Sequence, residues 1–282
     1  MSSIFFPGDT AVSWWGKVVG GAFGFMLGGP LGALLGAVLG HQFDKGLRIQ
    51  AQLGGFQAGD QERVQMAFFT ALFSTMGHVA KADGRVSENE IEMARSVMQQ
   101  MRLDEQQKRA AIDLFNQGKQ PDFDLDAILE QFRQECRRRR TLLQMFLEIL
   151  THAAYADGVM HPTELNVLRH ISQRLGFSAT EFEQLLSMVA AQRQFHQQYT
   201  GGRAGGTQRP SGDQLKQAYD LLGVSQGASD AEVKKAYRRQ MNQHHPDKLV
   251  ARGLPEEMIK IANEKTQEIK QAYDLIKKSR GG

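Results

Sequence analysis

Apolar positions recur at intervals of three and four through most of the chain, the period of a helix buried along one face. Val64, Ala67, Phe68, Ala71, Leu72, Thr75, Met76 and Val79 form one such stripe. Ile91, Ala94, Val97, Met98 and Met101 form a second, and Leu142, Met145, Phe146, Ile149 and Ala153 a third. Leu165, Leu168, Ile171 and Leu175 form a fourth. No segment shows a convincing strand alternation. Near the C-terminus, Leu215, Ala218, Leu221 and Leu222 mark a short helix, and Val233, Ala236, Tyr237 and Met241 the inner face of another over 230–244. A last stripe, from Pro255, holds Met258, Ile261, Ala262, Ile269, Ala272, Tyr273 and Ile276. The pattern predicts an all-α chain, with one helical domain over 61–195 and a smaller unit over 214–282.

One stretch breaks the amphipathic rule. After a short N-terminal tail (1–17), residues 18–39 carry no charge, and as a helix they would extend ~33 Å, enough for a bilayer core. Trp14 and Trp15 stand at one end, where indoles favour the membrane interface, and His41, Asp44, Lys45 and Arg48 restore polarity at the other. The run is longer than a signal-peptide core and lacks a clear cleavage site. A single transmembrane helix over 18–40 is expected, followed by a connector over 41–60. Lys45, Arg48 and Arg63 follow the span and only Lys17 precedes it, which places the C-terminal bulk in the cytoplasm. Glycine recurs every fourth residue at 16, 20, 24, 28, 32, 36 and 40. A helix face without side chains lets two backbones approach closely, so Gly20, Gly24, Gly28, Gly32 and Gly36 are expected to mediate homodimerisation through the span. Pro30 removes one helical hydrogen bond mid-span. It predicts a kink, with a re-entrant turn at Gly28-Gly29-Pro30 as the alternative.

The chain has 282 residues, a net charge of +3 and one cysteine, Cys136. The charge is too mild to argue for nucleic acid, and a lone cysteine excludes an intramolecular disulfide or a Cys-rich zinc module. The run Arg137–Arg140 reads as a solvated helix face, since no aromatic interleaving accompanies it. No nucleic-acid partner and no cofactor are expected. No phosphate-binding loop, nucleophile elbow or metalloprotease motif is present.

The middle domain contains an internal echo at an offset of 74 residues, "AKADGRVSENE" (80–90) and "AYADGVMHPTE" (154–164). Each piece ends a helix, turns at Asp-Gly and starts another. Ser87 with Glu90 forms a capping-box pattern, and His161 occupies the matching cap position, before Pro162 at N1 and Glu164 at N3. Asp83 and Asp157 would be the metal candidates. Aligned with a calcium loop, however, Val79 and Lys81, or Ala153 and Tyr155, stand where the first two carboxylates belong, so no metal site is expected. The duplicated corner resembles the TerB-like family, which implies a helical bundle.

Residues 190–213 are rich in Gln, Gly and Arg, with a flexible linker expected over 196–213. Beyond it, Ser229 and Glu232 form another capping-box pattern, and the following helix turns Lys234, Lys235, Arg238 and Arg239 outward. It runs into "NQHHPDK", where Pro246 stops the helix and pushes His245 toward extended backbone. The result is an exposed corner of His245, Pro246 and Asp247, followed by Lys248 and a loop.

"YDLLGV", the basic helix, "HHPDK" and "QEIKQAYDLI" occur in an order and spacing that resemble the J-domain of the DnaJ co-chaperone family. Ala218 and Thr266 depart from the aromatic residues common at those places. The resemblance implies a DnaK-class ATPase chaperone as partner, whose ATP hydrolysis the domain promotes. The His-Pro-Asp residues would transmit the signal, and the basic face, with Lys248, would meet an acidic surface. A membrane span, a TerB-like middle and a C-terminal J-domain together resemble the membrane-anchored DnaJ-like co-chaperones of Gram-negative bacteria. That implies a single-pass inner-membrane protein, itself not an enzyme, linked to envelope stress and capsule signalling. The alternative is an envelope-stress sensor or metal-binding scaffold that uses chaperone recruitment as output.

Overall fold

The computed structural model describes residues 29–43, 60–82, 88–101, 103–155, 158–201, 212–255 and 258–281, and every regular element among them is helical. Helix α1 (Gly29–Phe43) is followed by seven helices of the middle domain: α2 (Asp60–Ala80), α3 (Glu88–Gln100), α4 (Glu105–Gly118), α5 (Leu125–Glu135), α6 (Arg140–Ala154), α7 (Pro162–Arg174) and α8 (Ala179–Gly201). The C-terminal unit holds α9 (Gly212–Leu222), α10 (Asp230–His244), α11 (Pro246–Ala251) and α12 (Ile259–Ser279).

Helix starts follow the local chemistry. Asp104 Oδ1 accepts from Gln107 N at 2.8 Å while Gln107 Oε1 accepts from Asp104 N at 2.8 Å, a reciprocal box that starts α4. Asp124 caps α5 through Ala127 N at 3.0 Å. At α7 the expected arrangement is present: Pro162 is the first helical residue, and His161 N donates to Glu164 Oε2 at 2.8 Å. Ser229 and Glu232 cap α10 in the same reciprocal way, at 2.7 and 3.3 Å.

Helix α2 is the axis of the middle domain. It is buried almost all round, including Gln65, Thr70, Ser74 and Thr75, rather than along the single stripe its sequence suggests. It is surrounded by α1, α4, α5, α6 and α7, so no face is left for water. Phe68 lies edge-on to both Phe132 of α5 and Phe146 of α6, at 5.8 and 5.9 Å between centroids. Where α2 crosses α4, a glycine on each helix faces the backbone of the other helix. A Cβ on Gly77 would lie 2.0 Å from the Phe115 carbonyl oxygen, and one on Gly118 would lie 1.8 Å from that of Ser74. Only glycine permits this approach. In α3, Ile91 departs from the expected stripe and is exposed, while Ala94, Val97, Met98 and Met101 are buried.

Helix α1 covers the second half of the apolar run. Leu31, Leu35 and Val38 are buried in the middle-domain core, and Leu31 N donates to Gln131 Oε1 at 2.7 Å. No helix among the described residues is long and apolar enough to cross a membrane. Gly32 and Gly36 lie in α1; Gly20, Gly24 and Gly28 lie outside the described residues, as do Ser87, Asp83 and Asp157.

Candidate functional site

The C-terminal unit has its own small core. Ala218, Leu221 and Leu222 of α9 pack with Val233 and Ala236 of α10 and with Ile269, Ala272 and Ile276 of α12. Tyr237 and Tyr273 stack at 4.2 Å with planes 16° apart, joining the two longer helices near their exposed edge. At the chain end Arg280 donates to Tyr219 Oη at 2.8 Å and to the Ala228 carbonyl at 2.7 Å, and pairs with Asp230. These contacts hold α9 and the start of α10 against α12.

The corner at the end of α10 is built by Pro246. His245 adopts φ −63° and ψ 124°, the extended backbone a following proline enforces. Pro246 then starts α11 as its first residue, so the sequence expectation of a plain loop after the corner is corrected: a proline that cannot continue one helix is well suited to begin the next. The Asp247 side chain is 89 % exposed and that of His245 45 %. The His245 Nδ1 lies 3.9 Å from Asp247 Oδ2, too far for a hydrogen bond, and that nitrogen is buried without a partner. Lys234, Lys235, Arg238 and Arg239 are all exposed on one face of α10, and exposed Lys248 bonds back to Asn242. The structure therefore brings every sequence-identified residue of this corner together, as a carboxylate at the tip of a cationic helix.

One functional-looking residue was not singled out by sequence reasoning. His244, next to the corner, points inward and is 2 % exposed. Its Nε2 lies 3.8 Å from Glu148 Oε1 on α6, and Lys265 Nζ of α12 lies 3.1 Å from Glu148 Oε2. Burial pushes the Glu148 carboxyl up, but the charges of Lys265 and His244 and the Gln144 hydrogen bond bring it down to about 2. Burial, against the pull of Glu148 and with a further push from Lys265, lowers the His244 imidazole to about 4. His244 is thus neutral near neutrality. The signal available in the sequence was the doublet itself, two adjacent histidines that a helix terminus cannot point the same way.

Among the described residues no group of three or more His, Cys, Asp or Glu side chains is placed to hold a metal. Cys136 is buried, and that burial pushes its thiol up to about 12. Arg140, within the arginine run, is engaged with Glu181 at 2.6 Å and lies over the Phe177 ring.

Comparison with known proteins follows the same division. Residues 12–50 match the family model described as the co-chaperone DjlA transmembrane domain, residues 69–187 that of the tellurite resistance protein TerB, and residues 217–280 the DnaJ domain. The co-chaperone protein DjlA of Photobacterium profundum is 48 % identical over 278 residues, covering 95 % of this chain and 99 % of the relative. That of Vibrio cholerae is 49 % identical over 281 residues, covering 94 % and 98 %. That of Coxiella burnetii is 46 % identical over 275 residues, covering 95 % and 99 %. No solved structure matches.

Proposed function

The chain belongs to the DjlA co-chaperone family, and from that premise we propose that its J-domain binds a DnaK-class ATPase chaperone and stimulates its ATP hydrolysis, the chain itself performing no catalysis. The observation that carries this reading is the corner after α10. A proline-fixed turn displays Asp247 to water at the end of a helix whose open face holds four cations. Cations on a solvated helix face attract an acidic partner surface over roughly a Debye length and orient the encounter. At contact, Asp247 accepts from a cation of the partner, and Pro246 fixes the corner that displays the His245 imidazole beside it. Lys234, Lys235, Arg238, Arg239 and Lys248 supply the complementary charge.

Purified chain should raise the ATP turnover of a DnaK-class chaperone in a dose-dependent way. His245→Gln should abolish that stimulation while leaving the helical content unchanged. Turnover that stays at its basal rate at every dose of the unmutated chain would refute the reading.

The N-terminal segment is proposed to anchor the chain in the bacterial inner membrane, with both helical domains in the cytoplasm; the match to the DjlA transmembrane domain supports the anchor, and the lysine and arginine bias supports the orientation. Leu31, Leu35 and Val38 have two alternative apolar environments, the middle domain and the bilayer, and insertion of their helix withdraws them from the former. The four-residue glycine register supports homodimerisation through the span. Crosslinking in membranes tests it: Gly28→Leu and Gly32→Leu should reduce the dimer, and an undiminished dimer would sink the idea. A link to envelope stress and capsule signalling rests on the family likeness alone; deletion of the coding sequence should change an envelope-stress reporter, and an unchanged reporter would remove the link.

A further inference from the structure

Two seams join the J-domain to the middle domain. The first is apolar. Leu249, Leu254, Met258 and Ala262 are each 0 % exposed, and they belong to the middle-domain core rather than to the J-domain's own. Hydrogen bonds tie this arm down as well. Gln61 Nε2 donates to the Val250 carbonyl at 3.3 Å, Gln65 Nε2 to that of Leu254 at 3.4 Å, and Arg252 Nη1 to Thr141 Oγ1 at 2.5 Å. At Gly253, where φ is +95°, an added Cβ would meet Val64 and Arg139 at 3.0 Å.

The second seam is ionic. Glu148 of the middle domain faces Lys265 and His244 of the J-domain, and all three side chains are at least nine-tenths buried. Lys265 Nζ also donates to Gln192 Oε1 of α8 at 2.6 Å, and Gln192 Nε2 donates to Glu268. In a J-domain swinging on a tether, Lys265 and His244 would face water. Burying Lys265 against a carboxylate of another domain adds little net stability, because each ion loses its hydration. It does penalise every orientation in which one partner is buried unpaired. The apolar arm thus supplies the attraction and the ionic seam selects one arrangement. Meanwhile Lys234, Lys235, Arg238, Arg239, Asp247 and Lys248 all remain exposed, so docking leaves the partner-binding face open and fixes its direction.

We propose that the middle domain is a docking platform for its own J-domain, and that Glu148 and Lys265 are positioning residues which hold the His-Pro-Asp corner in one orientation for the chaperone. The proposal rests on the co-chaperone reading for what the corner does, but not for the docking itself.

The test uses the full chain in nanodiscs with Ala262→Cys as a reporter, since that position is sealed in the docked state. Glu148→Lys or Lys265→Glu places two like charges in the seam. Either should speed labelling at position 262 by ~100-fold or more. Each should also raise the concentration of co-chaperone needed for half-maximal stimulation, with the maximal stimulated turnover preserved. The double variant Glu148→Lys/Lys265→Glu restores an opposite pair beside a cavity of ≈ 330 Å³ that gives it room, and should return both readouts toward the unmutated values. Single variants that label as slowly as the parent overturn the docking. Variants that undock yet stimulate as well as or better than the parent overturn the positioning role. A parent chain that never stimulates turnover refutes the co-chaperone reading and with it the positioning role, and the docking is then judged by the labelling alone.

Discussion

Acid should loosen the seam between the two domains. His244 is buried between Glu148 and Lys265, and its imidazole is lowered from 6.5 to about 4. Release of the J-domain returns the ring to water and to its ordinary value, so the released state binds protons more tightly than the docked one. Falling pH therefore favours release, beginning near 6.5 and continuing to about 4. Between about pH 7 and 5.5 the proton-binding advantage of the released ring grows from ~1.3 to ~11, a shift of ~8-fold or about 1 kcal/mol. His152, on the next turn of α6 from Glu148, is also lowered to about 4, by burial first and then by Lys265. It hydrogen-bonds Gln192 at 3.3 Å and keeps partial contact with solvent, so its share is smaller; an equal share would bring the total to ~60-fold. Glu148, held at about 2, stays ionised across this window and adds nothing to the change. Arg193, Glu264 and Glu268 also line the seam and remain common to both variants compared below.

The assay is the labelling rate of the Ala262→Cys chain, normalised at each pH to the same thiol in denatured protein so that thiolate fraction cancels. The normalised rate should rise by ~8- to ~60-fold from about pH 7 to 5.5, and His244→Gln should remove most of the rise. A normalised rate that stays flat, or that falls in acid, refutes the assignment of His244 as a neutral, buried member of the seam.

The α2–α4 crossing offers a test of the middle domain itself. Gly77→Ala or Gly118→Ala puts a methyl group 2.0 or 1.8 Å from a backbone carbonyl oxygen, so the helices must separate by about 1 Å. The expected loss is ~3 kcal/mol or more, lowering the melting temperature by roughly 6 °C or more in a scan of the whole chain. A melting temperature within ~2 °C of the parent would show that the crossing relaxes freely.

The parts of the fold governed by short-range chemistry were legible in the sequence. Ser229 with Glu232, and His161 with Pro162 and Glu164, act within four residues of one another, and the helices they start lie where the pattern puts them. The corner at Pro246 is equally local. The Gly77–Gly118 crossing was not legible, because its meaning lies in two helices meeting, and a lone glycine inside an apolar stripe says nothing of what approaches it. Nor did the Gln- and Gly-rich composition of 190–213 indicate how far α8 would run. It continues to Gly201, and Gln217 of α9 bonds Gln194 within it at 3.2 Å.

The last helix shows why docking escaped the periodicity. Its stripe reads as one continuous face, yet Met258 and Ala262 are buried in one core and Ile269, Ala272 and Ile276 in another. Length holds the missing clue. Helix α12 has 21 residues, about 32 Å, while its J-domain neighbours α9 and α10 have 11 and 15, about 16 and 22 Å. A helix that outruns both partners leaves an apolar overhang, and an overhang bearing Ile261 and Ala262, with Met258 just before it, needs a second surface. The histidine doublet divides in the same way. His244 turns to Glu148 and closes the seam, while His245 turns to the corner. Adjacent residues at a helix end point in directions about 100° apart, so one peptide bond couples the docking surface to the chaperone-facing one. A displacement of His244 from Glu148 must therefore move the His-Pro-Asp corner with it, which is the physical reason a substitution in the middle domain should be read out at the chaperone.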